Sequence, residues 1–463
     1  MPRHLIIGNG VAGIRAAEAI RQRDSRSSVT ILSAESYPFY LRPQLPRFVA
    51  GEVPEAGLKG KPKRYYADNG LDVRLGAQVV GLKDNKVTLQ DGQTIEFDTL
   101  LIATGARPTV PAGVDVKTAG VVTLGSLDDA KRLKEAVNTA KTAVVLGAGI
   151  FGIELVNTLV RCGVAVTFLI PEARFWPEAL DEIASDLAEK HLSAAGVRLV
   201  KGVKLAETRA RQGKLSGVTT TGGDFIECQL LGVAEGATPN VDFLRPSGLQ
   251  MDRGIVVDAQ MRTNLPNVFA AGDCAQVAHV ASGGLETSIR WQNAWQQGAV
   301  AGANMAGEPV KYPGVTTTAS VLLCDVEVVA IGKSNAWGGD YKVKIGDETA
   351  EYPQEGIYKK LVADQHGTLV GALFLGNASE ANDVDQLVRD KARLSDVSDE
   401  LMKRLFGFQS YYWRPPAAFC PVCKLQMVLG PDAKEGDTLA CPACGVELEV
   451  TKVGDRLSVS LAR

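Results

Sequence analysis

Residues 4–13 read His4-Leu5-Ile6-Ile7-Gly8-Asn9-Gly10-Val11-Ala12-Gly13. An apolar strand runs into a glycine-spaced turn, and the turn runs into a stretch with helical spacing over about 11–23. Val29-Thr30-Ile31-Leu32 supplies the next strand. This is a β-α-β unit, which demands a parallel sheet. In the turn, Gly8 permits the tight bend, Gly10 lets the backbone approach a pyrophosphate, and Gly13 lets helix and strand pack closely. Val11 and Ala12 open the helix, whose free N–H groups and partial positive charge would face the phosphates. Glu35 lies 22 residues after Gly13, just past the second strand, where a carboxylate can bind ribose hydroxyls.

The pattern restarts near 142. Thr142-Ala143-Val144-Val145-Leu146 is a strand, Gly147-Ala148-Gly149-Ile150-Phe151-Gly152 a second glycine turn, 150–162 a helix, and Val164 to Ile170 the following strand. One nucleotide cofactor needs one such loop. Two imply a tightly held flavin dinucleotide and an exchangeable nicotinamide dinucleotide. Gly147, Gly149, Ile150, Phe151 and Gly152 are the second set of cofactor contacts, and Glu154 follows on the same helix. The acid expected after the second strand is displaced. Ile170-Pro171 stands there, Glu172 comes two positions late, and Arg174 is nearby. A carboxylate selects NADH through the 2′-hydroxyl and a basic residue selects NADPH; the choice stays open, with Glu172 leaning toward NADH.

Between these units, a polar, tyrosine-containing stretch covers about 36–70. Hairpin-like strands are expected over 73–98 with Asp91-Gly92 as a turn, then the apolar strand Thr99 to Ala103 ending at Thr104-Gly105. A third stretch, 255–273, ends in Phe269-Ala270-Ala271-Gly272-Asp273, and a helix is expected over 290–306. Residues 311–400 lose the nucleotide pattern. They carry strands at Ala319 to Leu323, Val326 to Ile331, Lys360 to Val362 and Leu369 to Phe374, then a helical stretch from about 380. Trp413-Arg414-Pro415-Pro416 reads as a linker.

The 463 residues suggest about three domains. A formal net charge of −3 gives no electrostatic case for nucleic acid. No apolar run is long enough to span a membrane. An apolar strand begins almost at the N-terminus, which leaves no room for a signal peptide. The eight cysteines form four scattered residues and two tight pairs, so a disulfide framework is not expected and a cytoplasmic location is.

Those pairs are Cys420-Pro421-Val422-Cys423 and Cys441-Pro442-Ala443-Cys444, with 17 residues between them. Each CxxC knuckle places two thiolates on one turn, and two knuckles complete a tetrahedron. Residues 417–463 are too few for a large core, so the metal would supply much of the folding energy. Zinc is favoured over iron, because no Phe, Tyr or Trp occurs from Lys424 to Arg463 to build the aromatic core of a rubredoxin.

Taken together, these motifs resemble the FAD-dependent pyridine nucleotide oxidoreductases, in the branch of nitrite reductase flavin domains, rubredoxin reductases and ferredoxin reductases. The resemblance covers roughly 3–400 and rests on the two glycine loops, Ala103-Thr104-Gly105-Ala106-Arg107-Pro108, and Ala271-Gly272-Asp273. It implies that Asp273 binds the flavin ribityl chain and that Thr104-Gly105 lies beside the flavin. Tyr40-Leu41-Arg42-Pro43-Gln44-Leu45-Pro46 resembles a flavin-side segment, which implies Arg42 and Pro43 near the isoalloxazine. Glu154 is implied at the nicotinamide–flavin junction, and Trp291, Asn293 and Ala294 on a helix facing the flavin. Arg42 and Glu154 are the candidate catalytic residues. The ribbon resembles small zinc ribbons that include amino-group carriers of lysine biosynthesis. Those carriers use a C-terminal glutamate; this sequence ends Ser460-Leu461-Ala462-Arg463, against a carrier role.

The expected fold class is α/β: two Rossmann-like (three-layer) dinucleotide-binding domains, an α+β third domain and a small C-terminal zinc ribbon. The expected boundaries are 1–110 and 238–310 for the FAD-binding domain, 111–237 for the NAD(P)H-binding domain, 311–412 for an interface domain through which a homodimer would form, and 417–463 for the ribbon. The CxxxxC and CxxC pairs of disulfide reductases are absent from the reductase portion. Electrons should therefore pass from NAD(P)H to FAD and on to an external acceptor, a protein among the options. Alternatives are a flavin-bound scaffold whose ribbon docks a partner, and an iron-holding ribbon that relays electrons.

Overall fold

A computed structural model describes all residues except 281–282, 317, 337–341, 348–356, 407–416, 424–425, 430–432, 443, 454–455 and 463. The linker expected at Trp413–Pro416 lies outside the described residues. The chain divides into two compact units. One comprises Met1–Arg42, Pro54–Arg107 and Ala237–Val315; the other comprises Pro43–Val53, Pro108–Gly236 and Thr316–Arg463.

The first unit is built on a five-stranded parallel sheet ordered Val268–Ala270, Thr99–Ile102, Arg3–Ile7, Ser28–Ser33, Leu71–Leu75. Arg3–Ile7 is central: the chain runs outward through Ser28–Ser33 and Leu71–Leu75 on one side, then returns to Thr99–Ile102 and Val268–Ala270 on the other. That is a topological switch point, the place where open α/β sheets bind ligands. The strands are apolar because both faces are covered: Ile6, Ile31, Leu100, Leu101 and Ile102 are fully buried. Each such side chain contributes about 1.5–3 kcal/mol. Helix Val11–Arg23 packs on helix Trp291–Met305. The contact is backbone-close, because a Cβ at Gly298 or Gly302 would strike the main chain of Ala12 or Ala16.

Leu71–Leu75 corrects the expected hairpin region. It is the parallel edge strand of this sheet, and the antiparallel hairpins begin at Val79–Lys83, followed by Lys86–Leu89 and Thr94–Glu96. Its alternating burial, Leu71 in and Asp72 out, is that of an edge exposed on one face, which mimics a hairpin strand. Gly92 does occupy a turn, with φ +85° and its N–H on the Leu89 carbonyl at 3.0 Å.

The second unit repeats the plan. Its parallel sheet is ordered Arg198–Lys201, Ala165–Ile170, Thr142–Leu146, Leu230–Val233, Val121–Val122, again with the first strand of the β-α-β unit at the centre. Helix Ile150–Arg161 follows the second glycine loop. Two of the longer helices escaped the sequence reading although both carry start signals. Leu127–Val137 has a Ser126/Asp129 capping box, and Glu182–Ala194 is capped by the Asp181 carboxylate at the Ala184 amide. The same unit holds a five-stranded antiparallel sheet ordered Thr318–Leu323, Val326–Gly332, Leu369–Gly376, Tyr358–Ala363, Lys342–Asp347. Helices Ala381–Arg389 and Asp399–Phe406 cover it through Val384, Val388, Leu401 and Leu405. The ribbon pairs Ala417–Phe419 with Gln426–Val428, and Thr438–Ala440, Glu447–Val453 and Arg456–Leu461 in a meander.

Candidate functional site

In the first glycine loop the three glycines are needed for different reasons. Gly8 has φ +117°, and a Cβ there would overlap the Ala103 carbonyl on the adjacent strand. A Cβ at Gly13 would overlap the Gly8 carbonyl. Gly10 is different: a Cβ there meets nothing within 4 Å and the backbone is extended, so the chain itself does not require glycine. The second loop repeats this division. Gly147 has φ +99° and abuts the Ala234 carbonyl, Gly152 abuts Gly147, and Gly149 faces open space. In both loops the middle glycine leaves a cradle, and a pyrophosphate is the group such a cradle admits. Helices Val11–Arg23 and Ile150–Arg161 both start without a side-chain cap and without an acid in the first turn, so their N-terminal amides are presented to an anion. Val11 and Ala12, and Ile150 and Phe151, form those first turns.

The remaining motifs of the first unit converge on this loop. Gly272 packs against Ala12 and Ala294, which sets Asp273 at the start of the Val11–Arg23 helix. The Gly272 amide donates to Gln297 Oε1 at 2.8 Å; Gln297 is fully buried and was missed by the sequence reading. Burial pushes the Asp273 carboxyl up to about 6, against the opposing charges of Arg42 and Arg290. Trp291 opens helix Trp291–Met305, 6.0 Å between ring centres from Phe39, and Asn293 donates to Ser288 Oγ at 2.5 Å. Trp291 Nε1 and Asn9 Nδ2 are buried and find no acceptor among the described residues. Two buried donors with nothing to donate to suit a ligand rich in acceptors, as a flavin dinucleotide is.

The turn Ala103-Thr104-Gly105 is clamped by Asn240, a second residue missed earlier. Thr104 Oγ1 donates to the Asn240 carbonyl at 2.8 Å, Asn240 Nδ2 to the Thr104 carbonyl at 3.1 Å, and the Asn240 amide to the Gly105 carbonyl at 2.9 Å. The loop's Asn9 is held by Tyr66, whose hydroxyl donates to Asn9 Oδ1 at 3.0 Å and accepts from the Phe39 amide at 2.9 Å. Glu35 and Arg42 were expected at opposite ends of the flavin dinucleotide. The structure pairs them: the Arg42 guanidinium donates to Glu35 Oε1, and Tyr40 Oη donates to Glu35 Oε2 at 2.7 Å. Pro43 begins the segment that belongs to the second unit.

In the second unit, Glu154 sits half-buried one turn into helix Ile150–Arg161. Glu172 lies just past strand Ala165–Ile170, where its carbonyl accepts from the Gly202 amide at 3.0 Å. Glu235, unremarked in the sequence, immediately follows the Ala234 carbonyl that abuts Gly147. Burial raises its pKa, the Lys204 charge opposes that rise and the Glu172 charge adds to it. Two carboxylates thus share the end of this site.

Outside the ribbon, burial raises the pKa of every cysteine: Cys162, Cys274 and Cys324 upward, and Cys228 to about 12. None is poised as a thiolate nucleophile. The ribbon's four are arranged otherwise. Cys420, Cys423, Cys441 and Cys444 are buried with all four Sγ atoms within 4.8 Å of one another. The Cys420–Cys444 and Cys423–Cys441 Sγ separations are both 3.6 Å. That is too long for disulfides and close to the edge, about 3.8 Å, of a tetrahedron with 2.3 Å zinc–sulfur arms. The donor set fits zinc.

Residues 2–298 match the family model for pyridine nucleotide-disulphide oxidoreductases, and 418–463 match the globular domain of alpha-aminoadipate carrier protein LysW-like zinc ribbons. The chain is 30% identical over 402 residues to the NADH-dependent phenylglyoxylate dehydrogenase subunit epsilon of Aromatoleum evansii, covering 85% of this chain and 93% of the relative. It is 30% identical to the rubredoxin-NAD(+) reductase of Pseudomonas putida over 67% of this chain and 81% of that one. The solved NAD-dependent persulfide reductase from A. fulgidus superposes with a TM-score of 0.79 at 27% identity, over 85% of this chain and 78% of that one. The chain therefore belongs to the pyridine nucleotide-disulphide oxidoreductase family, as an FAD- and NAD(P)H-using oxidoreductase with a four-cysteine zinc ribbon at its C-terminal end.

Proposed function

We propose that the chain is an NADH-dependent flavin reductase that passes electrons to an external acceptor, a small electron-transfer protein being the favoured class. The observation that carries this reading is the double cradle: two glycine loops, each with a middle glycine that the fold leaves open. The first loop, with Gly8, Gly10, Gly13, Glu35, Asp273, Trp291 and Ala294, is assigned to FAD. The second, with Gly147, Gly149, Gly152, Glu154 and Glu172, is assigned to the nicotinamide dinucleotide. Bound FAD would supply the hydride-accepting and electron-donating chemistry.

The residues supply binding and charge. Arg42 holds the Glu35 carboxylate toward the ribose, Gln297 fixes the backbone that carries Asp273, and the two helix N-termini receive the phosphates. Glu172 and Glu235 together oppose a 2′-phosphate, which supports NADH over NADPH. An acceptor outside the chain is supported by the four cysteines outside the ribbon, whose thiols burial pushes away from ionisation and which form no disulfide. Eight cysteines without a disulfide also suit a reducing cytoplasm.

Anaerobic stopped-flow mixing tests this. NADH should bleach the oxidised-flavin band near about 450 nm, NADPH should do so with at least tenfold lower efficiency, and a rubredoxin or ferredoxin should restore the band. A purified protein that holds no flavin, or whose flavin ignores both nucleotides, would refute the proposal.

A further inference from the structure

The ribbon contains two knuckles of the same Cys-Pro-x-Cys chemistry, and the fold treats them differently. Pro442 of the second knuckle is exposed. Pro421 and Val422 of the first are buried, Val422 at 1% exposure. The first knuckle is covered at Gln44, whose Nε2 donates to the Pro421 carbonyl. Gln44 is itself fully buried, and its Oε1 accepts from Arg47 Nη1 at 3.4 Å. The arginine fixes the amide's orientation, because a flipped amide would turn its NH2 toward the guanidinium.

Gln44 lies in Pro43–Val53, the stretch that follows Arg42 in sequence. The body of the second unit grips that stretch along its length. Lys134 Nζ donates to the Phe48 carbonyl at 2.6 Å and lies 4.3 Å from its ring centre. Glu52 takes Arg47 at 2.9 Å and Arg161 at 3.0 Å, the latter from the helix after the second glycine loop. Leu45, Phe48 and Val49 are buried. The first knuckle is therefore seated on a fixed surface, by a buried amide whose partners leave it one orientation.

We propose that the metal ribbon is a seated cap on Pro43–Val53, anchored by Gln44, and not a carrier that swings on a tether. Seating and metal binding are then linked. The metal folds the knuckle that the seat receives, so the seat must tighten the metal by the factor with which the metal tightens the seat. Gln44→Met keeps length and removes the Nε2 donor that the Pro421 carbonyl accepts from.

The test uses the full chain carrying its zinc. In competition with a chromogenic chelator, Gln44→Met should hold zinc on the order of tenfold more weakly than the wild type. As a second measurement that needs no variant, stripping zinc from the wild type should speed amide hydrogen exchange in 43–53 several-fold and leave 142–161 unchanged. Equal zinc affinity in Gln44→Met, or exchange in 43–53 that ignores zinc, would show that the ribbon moves freely and overturn the proposal. If Gln44→Met does not fold, the exchange measurement decides alone.

Discussion

The Arg42 guanidinium donates to the Glu35 carboxylate, and Tyr40 completes that carboxylate's bonding from the other side at 2.7 Å. A carboxylate held on both oxygens is oriented, and orientation is what a ribose-binding acid needs. On the proposed assignment of Glu35 to the FAD ribose, Arg42 acts on FAD through Glu35. Arg42→Met should lower FAD affinity by roughly tenfold, the scale of one charge-assisted hydrogen bond. Flavin-to-protein ratios after dialysis measure this. The fraction still holding flavin should be reduced by NADH at a rate within about twofold of the wild type, a margin of about 0.4 kcal/mol in activation free energy. A large drop in that rate would return Arg42 to the isoalloxazine, where the sequence resemblance put it.

The glycines separate folding from binding. Gly8→Ala forces a Cβ into the Ala103 carbonyl at φ +117°, and should cost several kcal/mol and leave little soluble protein. Gly10→Val and Gly149→Val meet open space, and should change stability by about 1 kcal/mol or less. Their binding defects should differ. Gly10→Val should purify without flavin. Gly149→Val should purify yellow and fail to bleach with NADH. The same defect in both variants would contradict the assignment of one dinucleotide to each loop.

What could be read in the sequence was local. Each glycine loop states its geometry within six residues, and each CxxC knuckle within four, so these positions were visible without a fold. Gln297 and Asn240 were not visible, because their partners Gly272 and Thr104 lie 25 and 136 positions away and nothing in their own neighbourhood marks them. Leu71–Leu75 was misread for a related reason. A parallel edge strand exposed on one face has the same alternation as a hairpin strand, and only its partner at Ser28–Ser33 distinguishes them. Lys342–Asp347 offered no apolar run to find.

Glu327 makes stability depend on pH. It is 5% exposed, its Oε1 has no partner among the described residues, and its Oε2 accepts one bond, from the Ala378 amide at 3.3 Å. Burial and the charge of Glu380 push its pKa from 4.5 to about 7, although Ala378 and Lys359 pull the other way. A folded pKa above the unfolded one means that the folded state binds the extra proton. Its stabilisation is complete below about pH 4.5 and is lost as pH rises through about 7. Glu327→Gln keeps the neutral shape and removes that loss. Relative to the wild type it should gain about 2–3 kcal/mol at pH 8 and little at pH 4.5, read from urea midpoints. A gain of equal size at both values would rule out Glu327 as the titrating group.

The doublet Lys359-Lys360 stands inside the fully buried strand Tyr358–Ala363, and alternation sends the two side chains to opposite faces. Lys359 pairs with Glu380 at 2.8 Å. Lys360, with no exposed surface, pairs with Asp181 Oδ2 at 2.7 Å; Tyr358 Oη donates to the same oxygen at 2.8 Å, and Asp181 Oδ1 caps helix Glu182–Ala194. Asp181 therefore serves a helix start and a sheet at once, which ties Tyr358–Ala363 to the nucleotide half of the same unit. Lys360→Met strands a buried carboxylate and should cost about 3–5 kcal/mol, seen as a lower denaturant midpoint. Adding Asp181→Asn removes the stranded charge and keeps an oxygen that can cap the helix, so the double variant should recover most of that loss. Recovery follows only if the penalty is the uncompensated charge. If the two losses simply add, the pair is not coupled and the tie between sheet and helix rests on packing alone.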